Sequence, residues 1–220
     1  MKRAIVLVSG GMDSLYTTAV AARDCDELLC LHFSYGQLTQ DKERSCFEAI
    51  ARHYQARETK IVDYLWLSRI GGSALTDGTI PIKADPEGIP NTYVPFRNAT
   101  MLCAAIAWAE VNQAERIYIG AVEEDGSGYP DCRESFFDAM ENLIQEGTKA
   151  RNIRIYTPVL HMSKKDIIIK GLTMRVPFEL SWSCYIDSEQ ACGECPSCKL
   201  RLKAFKEAGM IDPITYREKL

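Results

Sequence analysis

The chain has 220 residues, 30 acidic against 26 basic side chains and a net charge of −4, a size that supports one good hydrophobic core plus a small appendage. With an isoelectric point near 5.5 there is no global positive field to hold a phosphate backbone, so no nucleic-acid partner is expected. No stretch approaches membrane-spanning length, no membrane partner is expected, and the apolar run Ala4 to Val8 is too short for a signal-peptide core. The expected compartment is the reducing cytoplasm, where nine cysteines imply thiols and metal ligands in place of a disulfide framework.

That first apolar run reads as a buried strand. It empties into Ser9-Gly10-Gly11-Met12-Asp13-Ser14, with a helical pattern from Met12 to Arg23 behind it. Two consecutive glycines let the main chain approach an anion, and the free N–H groups of the following helix add the positive end of its dipole. Ser9 and Ser14 can add hydroxyl donors. The stretch expected to hold a nucleotide's phosphates is Val8, Ser9, Gly10, Gly11, Met12, Asp13 and Ser14, continued by Leu15, Tyr16, Thr17 and Thr18. It matches neither the Gly-x-x-x-x-Gly-Lys-Ser/Thr of a P-loop nor the Gly-x-Gly-x-x-Gly of a dinucleotide fold. The plain alternative is a strand ending in an ordinary Gly-rich turn.

Further along, apolar runs at Leu28 to Phe33, Lys60 to Asp63, Arg116 to Gly120 and Ile153 to Tyr156 suit buried parallel strands. Helical patterns fill Thr39 to Tyr54, Asn98 to Asn112, Arg133 to Gly147 and Lys164 to Arg175, with the length and apolar spacing of crossover helices. The alternation predicts an α/β fold, a Rossmann-like doubly wound parallel sheet with ligands at the carboxyl ends of its strands. It would occupy residues 1–175, with a small C-terminal metal-binding subdomain over 176–220. Ser68 to Pro95 is the one long irregular connection and reads as a lid or binding loop. Arg97, in Val94-Pro95-Phe96-Arg97-Asn98, stands at the mouth of a helix, where it can hold a phosphate or a surface carboxylate. After the fourth expected strand comes the polar loop Gly120 to Arg133. A carboxylate there can accept both the ring N–H and the exocyclic amine of a guanine-like base, and Tyr129 offers a stacking face. An acidic turn capping the next helix would look the same.

Near the C-terminus, Cys184, Cys192, Cys195 and Cys198 fall within fifteen residues. Four soft ligands at knuckle-like spacing suit a closed, structural, tetrahedral Zn²⁺ site. Gly193 and Pro196 supply the turns, and Cys198 opens a basic helical segment, Lys199 to Lys203, whose charges can offset a zinc tetrathiolate. A four-iron, four-sulfur cluster is the competing reading, since the same short spacings occur in ferredoxins. Cys25, Cys30, Cys46, Cys103 and Cys132 lack such spacing and read as buried apolar thiols.

Taken together, Ser9 to Ser14, Tyr35-Gly36-Gln37, Val94 to Asn98, Ser127-Gly128-Tyr129-Pro130-Asp131-Cys132-Arg133, Thr157-Pro158 with Ser163-Lys164, and the four terminal cysteines resemble the 7-cyano-7-deazaguanine synthase family of queuosine biosynthesis, a branch of the N-type ATP pyrophosphatases. The resemblance spans the whole chain. Two departures are visible: Phe96 stands where many members carry Gly, and Gly126 replaces a bulkier residue often found before Ser-Gly-Tyr. The resemblance implies an ATP-dependent ligase, with Mg²⁺, that converts 7-carboxy-7-deazaguanine and ammonia to the 7-nitrile through adenylated acid and amide intermediates. It implies Asp13 as a Mg²⁺ contact, Lys164 at the α-phosphate and Arg97 as a further catalytic group. Tyr129, Asp131 and Arg133 become substrate contacts, zinc sits on the four cysteines, and a homodimer is the expected assembly. The chain begins Met1-Lys2 and has no room for an amidotransferase domain, so free ammonia or a separate donor protein is implied.

Two other classes share part of this pattern. A tRNA sulfur transferase would carry the same pyrophosphate loop, and would need a catalytic cysteine near it and a basic RNA surface. A non-catalytic adenine-nucleotide sensor on the same fold would bind ATP without releasing pyrophosphate.

Overall fold

The apolar strands of this chain show no polar alternation, so the sheet they form must be covered on both faces. The computed structural model, which describes residues 1–83, 88–123 and 128–217, shows how. The strands are β1 (Arg3–Leu7), β2 (Glu27–Ser34), β3 (Glu58–Asp63), β4 (Arg116–Ile119) and β5 (Arg154–Tyr156), all parallel in the order β3-β2-β1-β4-β5. The helices are α1 (Met12–Asp24), α2 (Gln40–His53), α3 (Trp66–Ile70), α4 (Arg97–Asn112), α5 (Glu134–Gly147), α6 (Lys164–Thr173) and α7 (Pro196–Glu207). Successive residues point to opposite faces. Ile5, Leu7, Leu29 and Leu31 pack with Leu102 and Ala105 of α4 and Phe137 and Ile144 of α5. Ala4, Val6, Leu28 and Cys30 pack with Leu15, Phe47, Ile50, Ile167 and Phe205 from α1, α2, α6 and α7.

This is the doubly wound sheet expected from the sequence. Leu7 pairs with Ile119, so β1 and β4 end together, while β2 runs on past its Leu7–Leu31 pair to Ser34. The chain winds outward from β1 to β3 and then crosses to β4, which leaves a crevice at the carboxyl ends of β1 and β4, where such sheets bind ligands. Each expected strand and helix is present with ends shifted by no more than a turn. The short α3 was not foreseen. In the expected irregular connection, the described residues from Gly71 to Phe96 form neither helix nor strand. Gly126 and Ser127, both singled out in the sequence, lie outside the described residues. No helix among the described residues is long and apolar enough to cross a membrane.

The tail does not stand apart from the sheet. Ala204 and Phe205 of α7 share the layer of α1, α2 and α6, while the four clustered cysteines pack with Cys46, Trp182 and Ala191. Helix α7 starts at Pro196, earlier than its basic segment suggested, because proline at the first helical position forfeits no hydrogen bond. The Cys195 Sγ caps it by accepting the Cys198 N–H at 3.4 Å.

Candidate active site

The two loop glycines do different work. Gly10 has φ +88°, and a Cβ there would sit 2.6 Å from the Glu43 carbonyl oxygen, so packing on α2 dictates this glycine. Gly11 has an ordinary φ of −81°, and a Cβ on it would meet nothing nearer than the Ser9 Oγ at 3.4 Å. A Cβ there would make ordinary contacts with the Ser9 Oγ and, at 3.7 Å, the Trp182 carbonyl oxygen, without a clash. No side chain caps α1, so its first N–H groups present an anion site with the positive end of the helix dipole. Gly120, just after β4, would bring a Cβ within 2.8 Å of the Asp13 and Ser14 main chain. Only glycine lets the β4 loop close the crevice floor against α1.

Lys164 stands at the start of α6, whose cap is Ser163 accepting the Asp166 N–H at 3.1 Å. Its Nζ lies 2.5 Å from the Asp13 Oδ2. The other oxygen of that carboxylate, Oδ1, is buried and has no hydrogen-bond partner among the described residues, an acceptor suited to a cation. The Ser14 Oγ donates to the Gly11 carbonyl at 2.9 Å and lies 3.1 Å from the Ser9 Oγ.

Above these groups a cavity of about 570 Å³ opens, lined at one end by Ser9, Gly11, Asp13, Ser14 and Lys164 and elsewhere by Tyr35, Gln37, Glu43, Thr92, Arg97, Tyr129 and Tyr185. The Arg97 Nη1 donates to the Tyr35 hydroxyl at 2.9 Å and its guanidinium lies 5.4 Å from that ring. Burial opposes the Arg97 charge, but Tyr35 and Asp131 outweigh it and hold the guanidinium firmly protonated. Tyr129 shares a 2.6 Å hydrogen bond with Thr92. Glu43 accepts from the Thr39 hydroxyl at 2.9 Å and from the Gln37 amide at 3.0 Å. Burial pushes its carboxyl up from the ordinary range, against the pull of those two donors. Phe96, at the entry to α4, has φ +56° and is 61 % exposed. That left-handed backbone is one glycine adopts freely and a side chain such as phenylalanine does not.

Of the residues expected at the site, Val8, Ser9, Gly11, Met12, Asp13, Ser14, Arg97, Tyr129 and Lys164 line the cavity. The others do not. Gly10 sits behind the loop against α2, while Leu15, Tyr16, Thr17 and Thr18 are buried in the body of α1, which is covered on nearly every side. Asp131 is buried outside the cavity lining, with its Oδ2 accepting the Asn98 N–H in the first turn of α4 at 2.9 Å. Arg133 is exposed at the N-cap of α5. Sequence reasoning passed over Glu43, and took Tyr35-Gly36-Gln37 only as a family motif. The available signal was a carboxylate one helical turn into the helix that follows β2.

The four thiols come together as their spacing suggested: the Sγ atoms of Cys184, Cys192, Cys195 and Cys198 all lie within 4.8 Å of one another. Four thiolates on one zinc-sized ion sit roughly 3.8 Å apart, given Zn–S bonds of about 2.3 Å, and Cys192 and Cys198 are 3.9 Å apart. A four-iron cluster would spread its cysteines further, one to each iron. Main-chain N–H groups of Ile186, Asp187 and Cys192 point at the Cys184 Sγ at 3.4 Å. Within the cluster, hydrogen bonds from Cys195 and Cys198, helped by the Cys192 and Ile186 amides, hold Cys184 below the usual thiol range, and the same contacts push Cys195 and Cys198 up. The charge offset expected from the basic segment is not supplied by Arg201, which is buried and bound to Asp212 at 2.8 Å and 3.0 Å. Cys184 also lines the cavity.

Comparison with known proteins agrees with this architecture. Residues 3–209 match the family model described as queuosine biosynthesis protein QueC. The chain is 53 % identical over 221 residues to a 7-cyano-7-deazaguanine synthase of Chlorobium phaeobacteroides, covering 99 % of this chain and 98 % of that one. It is also 53 % identical over 218 residues to one of Chlorobaculum tepidum, covering 97 % and 96 %. Among solved structures, a 4-thiouridine synthetase in complex with RNA and bound ATP aligns with TM-score 0.54 at 18 % identity, over 94 % of this chain and 50 % of that one. A predicted tRNA methyltransferase subunit from Methanocaldococcus jannaschii aligns with TM-score 0.51 at 14 % identity, over 99 % and 93 %. These likenesses show the shared fold. The chain belongs to the QueC family of queuosine biosynthesis enzymes.

Proposed function

We propose that the chain is an ATP-dependent carbon–nitrogen ligase that converts 7-carboxy-7-deazaguanine and ammonia to 7-cyano-7-deazaguanine, releasing AMP and pyrophosphate. The observation that carries this reading is that a phosphate cradle and a largely apolar, tyrosine-walled compartment with a few convergent polar groups share one cavity. Turning an acid into a nitrile removes two oxygens, and neither leaves unaided at neutral pH. In the first half-reaction the substrate carboxylate, oriented by Arg97 and Tyr35, attacks the α-phosphorus of ATP. The first N–H groups of α1, with the Ser9 and Ser14 hydroxyls once they turn from each other and from the Gly11 carbonyl, stabilise the departing pyrophosphate. Lys164 neutralises charge at the α-phosphate, and Asp13 has the free oxygen that would hold Mg²⁺, which supplies electrostatic neutralisation of the phosphates when bound.

Ammonia then attacks the acyl carbon, AMP leaves, and the surplus proton passes to water, giving the amide. In the second half-reaction the amide oxygen attacks the α-phosphorus of another ATP; loss of AMP and of the nitrogen-bound protons leaves the nitrile. Tyr129 offers its ring to the planar substrate. The four cysteines would hold one structural zinc ion that folds the tail, outside the reaction itself. The free thiols suit a cytoplasmic enzyme. The test is mass spectrometry of the products after incubation with ATP, Mg²⁺, ammonium and 7-carboxy-7-deazaguanine. The 7-nitrile and AMP are expected; ATP turnover with the acid unchanged would overturn the reading.

A further inference from the structure

A guanine-like ring presents adjacent N–H donors from its ring nitrogen and exocyclic amine, and a carboxylate is the side chain that accepts both at once. Among the described residues, two carboxylates line the cavity, Asp13 and Glu43. Asp13 belongs to the phosphate end, 2.5 Å from Lys164, and Asp131 is turned to the Asn98 N–H. Asp131 is not part of the cavity lining, so Glu43 is left, and its setting fits the task. Thr39 and Gln37 each donate to a different oxygen of its carboxylate, out of about four lone-pair sites, so each oxygen keeps acceptor capacity. Gln37 is itself fixed, its Oε1 accepting the Tyr35 N–H at 2.9 Å and its Nε2 donating to the Phe33 carbonyl at 3.3 Å. The Glu43 main chain abuts the phosphate loop at the point where Gly10 has no room for a Cβ. The acceptor and the phosphate cradle are therefore held in fixed relation, as an enzyme that adenylates one edge of a base while reading another requires.

We propose that Glu43 is the specificity-determining residue, accepting the paired N–H donors of the 7-deazapurine substrate; this rests on the ligase reading above. The competing role is purely local, a staple for the turn that joins Tyr35 to α2. The two roles separate by selectivity. A staple, once lost, weakens every ligand alike; a base reader, once lost, erases the preference for a base that carries the exocyclic amine.

Calorimetric titration of the metal-loaded protein with three probes decides between them: 7-carboxy-7-deazaguanine, its analogue lacking the 2-amino group, and α,β-methylene-ATP. Wild type is expected to prefer the amino-bearing acid by about tenfold or more, the worth of one buried hydrogen-bonded donor. Glu43→Gln is expected to bring that ratio close to one while keeping its affinity for the ATP analogue, and Asp131→Asn to keep the wild-type ratio. A wild-type ratio in Glu43→Gln, equal loss of all three ligands, or a ratio erased by Asp131→Asn would each overturn the assignment. If Glu43→Gln does not fold, Glu43→Asp decides in its place: the shortened carboxylate should lose the ratio, and keeping it would overturn the proposal. Wild type that binds the ATP analogue and neither acid sinks the ligase reading itself, a result distinct from a discriminating wild type with a discriminating variant.

Discussion

The main-chain N–H of Trp182 donates to the carbonyl oxygen of Gly10 at 2.9 Å, which fastens the thiol-bearing tail directly to the phosphate loop. Two residues further on, Cys184 lines the same cavity as Ser9 and Asp13, and Cys46 of α2 packs into the thiol cluster. The metal site and the phosphate site are thus mechanical neighbours, although they lie at opposite ends of the sequence.

Cys195→Ser is expected to lose the bound metal and, through the Trp182–Gly10 contact, to weaken ATP binding as well, because the metal supplies the folding free energy of the tail. Elemental analysis of protein purified without oxygen, with nucleotide titration of the same sample, checks both halves. Iron with acid-labile sulfide in place of about one zinc per chain would remove the zinc assignment. Metal loss with unchanged ATP affinity would remove the mechanical link.

At the phosphate loop the adjacent glycines should respond in opposite ways. Gly10→Ala is expected to lower stability by about 1–3 kcal/mol, from a left-handed backbone and the clash with the Glu43 carbonyl. Gly11→Val should still fold but lose pyrophosphate release, because its branched side chain stands between Ser9 and the Trp182 carbonyl and obstructs the approach to the loop. Urea unfolding and a pyrophosphate assay on both variants separate the two; normal turnover in Gly11→Val would show that this turn is not the cradle.

Much of the fold was legible because β1 and most of β2 are apolar runs and α2 and α5 carry clear periodicity. The ends of β1 and α1, the parallel sheet and the four cysteines followed from local pattern. What escaped was whatever depends on which way a side chain faces once the loops have folded. Asp131 and Glu43 are both carboxylates beside a helix start, and nothing in their neighbours says that one caps α4 while the other faces the cavity. The same holds for Arg201, which reads as one charge in a basic run. Only the tertiary fold brings Ser181 and Asp212 to it.

Arg201 and Asp212 have side chains 1 % and 3 % exposed, and the guanidinium also donates to the Ser181 Oγ and the Phe178 carbonyl. Arg201→Met leaves a buried carboxylate without its cation and is expected to destabilise the protein by about 3–5 kcal/mol. Chemical denaturation of the metal-loaded protein measures it. A loss below about 1 kcal/mol, the scale of an exposed pair, would contradict the burial of this pair.

His32 is buried, with its Nδ1 donating to the Val8 carbonyl at 2.8 Å and its ring stacked on Phe47. Burial holds its pKa below the ordinary 6.5. The unfolded chain therefore takes up this proton first as pH falls, so the contribution is fully present above about pH 6.5 and is lost progressively below it. Between about pH 7.5 and about pH 5.5, wild type should lose stability, and His32→Gln should lose less over the same interval. Equal slopes in urea unfolding would contradict this assignment.

The most direct test of ligase chemistry follows the oxygen atoms. In each adenylation the substrate's own oxygen becomes the bridge to the α-phosphorus and departs with AMP. With heavy oxygen in both positions of the 7-carboxylate, mass spectrometry should find the label in AMP, none in pyrophosphate, and an unlabelled 7-nitrile. Label in pyrophosphate or inorganic phosphate, or nitrile formed with unlabelled AMP, would contradict attack on the α-phosphorus at the Ser9 to Ser14 loop.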